Sequence, residues 1–517
     1  MNPTRLLTTL ALAGSLALGR AQSNTAASAA AATPPPAPAP SAAEQTINDI
    51  KNPVPWLTWG GDLRLRDEYF NNALSLGAPN GGIGFGNVHE QEYLRFRGRL
   101  WASLMPTNDL TFNVRLAAEP REFIKSSTFD TFYQEEGPQW RYGILDTLNV
   151  QWKNPFHLPA TLTVGRQDIF LGDGFLVGDG TPEDGSFTSF LDSARLTYKL
   201  DDLHTTIDAI GLIQDARPDG WLPTLGPSTA TGDHVEPLLL TDQNEKGAIL
   251  WVANKSLPYA NLDGYFMYKH DSRLNDPVTF GDNADIYTLG GRVSGLVAEQ
   301  WKYSLEGAYQ FGRKQDPDLN DGGANLFLAP AAQSTGFRGL NAYALNGKLT
   351  YLFKDPLNDQ LSLSCEFLSG DNPNTKSDEM FDVLWGRWPS WSEMYNIYSY
   401  VQETRVGQTA NLIRFGPTWT LNPMPKMELS SSYFMLLADQ ETPTRDLNNA
   451  FGVPPAAGTD AFSRAGNDRG QYIQAVLKYK FNQHLSGHLW SEFLFPGDFY
   501  VNHQMMSFLR AEVMLTF

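Results

Sequence analysis

The sequence predicts an all-β protein, a transmembrane antiparallel β-barrel of about 18 strands with short periplasmic turns and long extracellular loops. Three observations carry this. Apolar and polar residues alternate with a period of two in one segment after another between Trp56 and Phe517. The connections between those segments are short and long by turns. No segment approaches the ~20 consecutive apolar residues that a spanning helix needs, so a membrane has to be crossed by strands.

The elements follow in chain order. Met1 to Arg5 precede an apolar run, Leu6 to Leu18, and then Gly19-Arg20-Ala21, a small-x-small pattern. Residues 1–21 are expected to be a secretory signal peptide cut after Ala21. Residues 22–48 are mostly Ala, Pro and Ser, with proline dense from Pro34 to Pro40. Such a stretch cannot bury a core, and a disordered periplasmic lead-in is expected. Residues 49–517 show no second break in composition and are expected to form one barrel domain.

Within that domain Leu94, Phe96, Leu100, Ala102 and Leu104 alternate with Tyr93, Arg95, Arg97, Arg99, Trp101 and Ser103. After the turn residues Pro106-Thr107-Asn108-Asp109, Leu110, Phe112, Val114 and Leu116 alternate with Thr111, Asn113 and Arg115. The figure recurs to the last strand, where Leu509, Ala511, Val513, Leu515 and Phe517 oppose Arg510, Glu512 and Thr516. That strand is expected to close the barrel beside Leu57 to Tyr69, with Leu515 and Phe517 as the assembly signal. Short connections such as 154–159, 354–359 and 482–483 alternate with long ones such as 121–141, 172–188, 314–337, 370–408 and 439–468. Turns sorted by length onto two rims separate an outer-membrane barrel from a soluble sandwich.

Composition agrees: 45 glycines, 33 prolines and 12% aromatics suit many strands joined by turns. A mean hydropathy of -0.33 is compatible because half of each barrel strand faces water. The net charge of -18 excludes a nucleic-acid partner. A single cysteine, Cys365, excludes a disulfide framework and lies on the apolar phase of its strand.

The most informative constellation is a ladder of arginines on the wet phase. Arg64 and Arg66, then Arg95, Arg97 and Arg99, then Arg115 and Arg121, with Arg195, Arg292 and Arg414 further on, make up the ladder, and Arg64, Arg66, Arg95, Arg97, Arg99, Arg115, Arg166 and Arg195 are the candidate lumen residues. A guanidinium binds a carboxylate with two prongs and stays charged at every relevant pH, so an arginine column favours polyanions. The alternative is that these arginines pair with Asp62, Glu68, Glu92, Glu119 and Asp208 and keep the wall soluble. Arg510 and Glu512 are candidates to face Arg64 and Arg66 across the closing seam.

At this point the chain resembles the alginate export family of outer-membrane porins. The resemblance rests on Gly165-Arg166-Gln167 through Gly172-Asp173-Gly174 to Gly178, then Phe190-Leu191-Asp192-Ser193-Ala194-Arg195-Leu196. Phe381-Asp382-Val383-Leu384-Trp385 and Phe493-Leu494-Phe495-Pro496-Gly497-Asp498-Phe499-Tyr500 add to it. The resemblance implies an arginine-lined barrel in the bacterial outer membrane that secretes an anionic uronic-acid polysaccharide. Expected partners are that polysaccharide or a small anionic solute, outer-membrane lipid and lipopolysaccharide, and the barrel-assembly machinery, around a monomer. A general porin, an outer-membrane enzyme and a structural or adhesive barrel are the alternatives.

Other motifs point to no chemistry. In Asp316, Asp318, Asn320, Asp321 and Gly322 the glycine comes one position late for a calcium loop, and Phe327 stands where the bidentate glutamate belongs. His484 and His488 lack a third metal ligand, and there is no G-x-S-x-G nucleophile. Neither a cofactor nor a metal is expected.

Overall fold

The computed structural model describes residues 42–72, 90–125, 143–178, 190–216, 243–273, 283–315, 337–372, 374–386, 391–398, 410–441, 463, 465–501 and 503–517. The signal peptide, most of the lead-in and the 316–322 segment lie outside them.

The strands are β1 (Leu57–Asn71), β2 (Glu90–Leu104), β3 (Leu110–Ala118), β4 (Arg121–Lys125), β5 (Gly143–Lys153), β6 (Ala160–Gln167), β7 (Leu191–Leu200), β8 (Thr205–Gln214), β9 (Gln243–Asn254) and β10 (Asn261–Arg273). There follow β11 (Asn283–Val297), β12 (Trp301–Gln315), β13 (Arg338–Leu352), β14 (Gln360–Leu368), β15 (Leu412–Met424), β16 (Met427–Leu437), β17 (Asp468–Lys480), β18 (Leu485–Phe495) and β19 (Met506–Thr516). Each pairs antiparallel with its neighbours, and β1 pairs with both β2 and β19, so the sheet has no edge. Segments β3 and β4 both pair with β2 and are one stave interrupted at Glu119-Pro120, because proline has no N–H to give to the ladder. The 19 segments therefore make a closed antiparallel barrel of 18 strands.

The inside–outside pattern is that of a membrane barrel. Leu63 and Leu65 are 59% and 43% exposed, whereas Arg64 and Arg66 between them are 3% and 0%. Apolar side chains exposed outward and charged ones buried inward invert the rule of soluble proteins, because lipid is the outer solvent. Short turns at 105–109, 201–204, 298–300 and 481–484 gather at one rim and the long connections at the other. On the long-loop side an aromatic belt stacks across four strands, from Tyr268 to Tyr287 (5.1 Å), Phe311 (5.4 Å), Tyr309 (5.8 Å) and Tyr343 (5.1 Å). Cys365 lies on the lipid-facing phase with Leu361 and Leu363.

One local expectation is corrected. The last residues of the lead-in, expected to be disordered, are helical, as α1 (Ala42–Lys51). The prolines stop at Pro40, the Ala-Ala-Glu-Gln start favours helix, and Glu44 and Lys51 sit at the ends the macrodipole favours. The helix is held at the short-turn rim, where Trp59 Nε1 donates to the Ile50 carbonyl at 2.6 Å.

Candidate functional site

The inward faces of β19, β1, β2 and β3 carry the arginine ladder, and the register sets each cation beside an anion. Arg66 is opposite Glu512 and Glu68 opposite Arg510 across the closing seam. Arg66 Nε donates to Glu512 at 2.5 Å, and Arg510 Nη2 reaches Glu68 at 2.6 Å. Arg95 bridges Glu68 at 3.1 Å and Glu119 at 2.7 Å; Arg64 shares Glu119 at 3.0 Å. Asp62 takes Arg97 on one oxygen (3.1 Å) and Arg99 on the other (2.7 Å). Buried guanidinium groups require such partners, since desolvation without pairing costs several kcal/mol per ion. The break at Glu119-Pro120 has a purpose here: it turns Glu119 inward between Arg64, Arg95 and Arg121.

The remaining candidates form separate groups. Arg115 pairs with Asp146 (2.7 Å) and Asp168 (2.9 Å), and Arg195 with Asp208 (2.8 Å). Arg166 pairs with Asp192 (2.9 Å), donates to the Leu145 carbonyl (3.0 Å) and lies 4.0 Å over the Phe190 ring. Fully buried, it clamps β5, β6 and β7 together. Among the eight candidates, Arg99, Arg115 and Arg195 keep side chains 16%, 18% and 25% exposed, while Arg64, Arg66, Arg97 and Arg166 have none.

Two loops fold into the lumen from the long-loop rim. The first, 168–178, buries Ile169, Leu171, Leu176 and Val177, and its Asp173 reaches from the β6 side to the β11–β12 wall. There Arg292 donates Nη2 to Asp173 Oδ1 (2.6 Å) and Nε to Oδ2 (3.1 Å), and Ser304 Oγ donates to the same carboxylate. Arg292 Nη1 is held from behind by Asp263 at 2.8 Å. Burial raises the Asp173 pKa, but the hydrogen bonds from Arg292 and Ser304 outweigh it and hold the carboxyl below its ordinary value.

The second loop, 369–386, is pinned by Asp382, which accepts from Lys269 Nζ at 3.1 Å while its backbone exchanges hydrogen bonds with the Gln310 amide (2.6 and 2.9 Å). The loops meet where the Trp385 N–H donates to the Leu176 carbonyl at 3.0 Å and Val177 bridges Trp385 in parallel. Farther on, Glu492 of β18 accepts from Ser392 Oγ (2.7 Å) and from the first N–H groups of α2 (Glu393–Tyr398) at 2.9 Å each. Glu393 in turn pairs with Arg510 at 3.0 Å. Residues 392–394 are thus tied into the seam network.

Lys302 and Lys348 complete the picture. Both lie on the inward phase of β12 and β13, with Lys348 in register with Ser304, and both are exposed. The ladder drew attention to arginines only, yet strand parity alone would have found these lysines. Nothing in the period of the sequence marked Asp173 or Asp382 as wall contacts; the Gly172-Asp173-Gly174 and Phe381–Trp385 patches of the resemblance were the available signal.

With the barrel and its lumen in view, comparison with known proteins is decisive on family. The alginate export family model matches residues 233–513, more than half of the chain. The chain belongs to the alginate export family. The matched stretch of this family member includes Arg292, Ser304, Lys348, Asp382 and Arg510, whereas Arg64 to Arg195 and Asp173 precede it. Similar solved structures include OccD3 (OpdP) and OccK8 (OprE) of Pseudomonas aeruginosa and OccAB2 of Acinetobacter baumannii. They are 11%, 12% and 12% identical, cover 89% of this chain and 91%, 98% and 98% of theirs, and give TM-scores of 0.45, 0.46 and 0.49. No curated protein sequence matches. As a family member with a closed barrel, the protein is a channel of the bacterial outer membrane.

Proposed function

We propose that this alginate export family channel passes an anionic polysaccharide of the uronate class out of the cell, without cofactor or covalent chemistry. The observation that carries the reading is the family match. The lumen's chemistry supports it. Arg99, Arg115 and Arg195 keep part of their side chains open to water while paired, so a polymer carboxylate can approach them without stripping the wall of its own anions. Such sites are weak enough to leave, as conduction requires. Arg64, Arg66, Arg95, Arg97 and Arg166, buried and paired, serve the same path indirectly, by holding the wall in place.

The test is single-channel recording in planar bilayers with ion-selectivity measurement. Oligomers of a 1,4-linked uronic acid are expected to block the current from the short-turn side, and the triple variant R99Q/R115Q/R195Q is expected to weaken that block. Cation preference with no response to uronates would make the protein a general porin.

A further inference from the structure

The tip of the first inward loop is built to present one carboxylate. The Leu171 N–H donates to the Val177 carbonyl at 3.0 Å and the Gly174 N–H to the Leu171 carbonyl at 2.9 Å, closing a tight turn. Gly172 and Gly174 have φ of 59° and 77°, the left-handed region that favours glycine. A Cβ at Gly174 would lie 2.5 Å from the Phe170 ring, and one at Gly172 3.1 Å from Trp251. Gly172 thus lets the turn lie close against Trp251 of the wall, and Gly174 lets it fold tightly over Phe170 of the same loop.

What Asp173 meets there is a carboxylate site. Its two oxygens take two arms of one guanidinium, Arg292, and the hydroxyl of Ser304. Lys302 and Lys348 lie within electrostatic reach. A planar donor fork backed by a hydroxyl and ammonium groups is what recognition of a sugar carboxylate requires. Asp173 is 42% exposed, while Leu171 and Phe175 beside it are buried, so its side chain can rotate off Arg292 without lifting the loop's apolar anchor.

We propose that Arg292, Ser304, Lys302 and Lys348 form a lumenal binding site for the carboxylate of a hexuronate residue, and that Asp173 is a tethered competitor occupying this site in the resting channel. The inference rests on the reading of the protein as a uronate-polymer channel. A competitor on the loop lowers apparent affinity by the fraction of time the site is free. Each sugar carboxylate is then recognised and released as Asp173 returns, which keeps selectivity compatible with passage.

The test uses the full barrel in planar bilayers, with hexamers of a 1,4-linked uronic acid as probe and a neutral glucose hexamer as control. D173N is expected to lower the half-blocking uronate concentration about tenfold and to shift the reversal potential in a potassium chloride gradient toward anions. D173A, which removes the carboxylate and leaves Arg292, Ser304, Lys302 and Lys348 intact, is expected to act in the same direction. D173N/R292Q is expected to lose the gain, and the neutral hexamer to behave alike on all variants. Heat-modifiable gel mobility verifies that each variant is folded, and D173A carries the test if D173N is not. Wild type blocked by uronate with D173N and D173A no more sensitive overturns the inference and leaves the proposed function standing. Wild type and both variants insensitive to uronate overturns both. A D173N/R292Q variant as sensitive as D173N overturns the assignment of the site to Arg292.

Discussion

Glu68→Gln tests whether the arginine ladder holds the wall together. Glu68 is wholly buried and accepts from Arg510 at 2.6 Å and Arg95 at 3.1 Å, with Arg66 at 3.8 Å. Glutamine keeps the shape, removes the charge and turns one acceptor into a donor pointed at a guanidinium. Breaking a buried pair by removing one partner costs about 3–5 kcal/mol, because the other charge is left uncompensated. Arg95 retains Glu119 and Arg510 retains Glu393, which places the expected loss toward the lower end of that range. With an unfolding entropy of about 2 cal/mol/K per residue over a barrel of roughly 450 residues, each kcal/mol shifts the midpoint by about 1 °C, so a fall of about 3 °C is expected. The assay is the temperature midpoint of heat-modifiable gel mobility in detergent. Glu299→Gln is the control, since it removes an exposed pair with Lys354 that solvent already screens, and no resolvable shift is expected there. A Glu68→Gln midpoint within error of the Glu299→Gln midpoint would refute the argument from burial.

Four further outcomes follow from the same geometry. Deleting Phe517 removes its two hydrogen bonds with Gly61 (3.0 and 3.2 Å) and its ring contact with Trp59 at the closing seam. The heat-modifiable fraction should fall while conductance of the assembled channels stays unchanged; normal assembly would argue against Phe517 and Leu515 as an assembly signal. Asp382→Asn weakens the attachment of the second loop to Lys269, so larger or noisier single-channel openings are expected, and unaltered traces would count against a plug held by that contact. The Asp173 pKa is lowered on folding, so its contact with Arg292 is present above the ordinary carboxylate range and is lost as pH falls through the lowered value. On acidification below the ordinary carboxylate range wild type should gain more anion selectivity than D173N; equal gains would show that other carboxylates account for the effect. Gly174→Ala forces a side chain into the left-handed region against Phe170, at a cost of about 1–2 kcal/mol, and by displacing the tip should resemble D173N in its sensitivity to uronate block.

The period-two alternation by itself determined the barrel. Once Leu63 and Leu65 must face lipid, Arg64 and Arg66 have to face inward, because successive side chains on a strand point to opposite sides. Loop lengths settled which rim is which, and the terminal strand's phase placed Glu512 and Arg510 on the inner face before any pairing was known. The partners of the arginines were half legible: Asp62, Glu68, Glu119 and Asp208 stood on the same phase, but which arginine each takes depends on register, and register is set across the sheet. Helix α1 was missed because the composition of the lead-in as a whole hid a proline-free end.

Only the tertiary structure decided what occupies the lumen. Asp173 lies 119 residues from Arg292 and Ser392 lies 100 from Glu492, so neither pairing leaves a trace in local period. Loops carry no alternation that aims them. Their course across the barrel follows from buried anchors such as Leu176 and Trp385, and from charges that must find opposite charges once water is excluded, which is a property of the closed wall and not of any single strand.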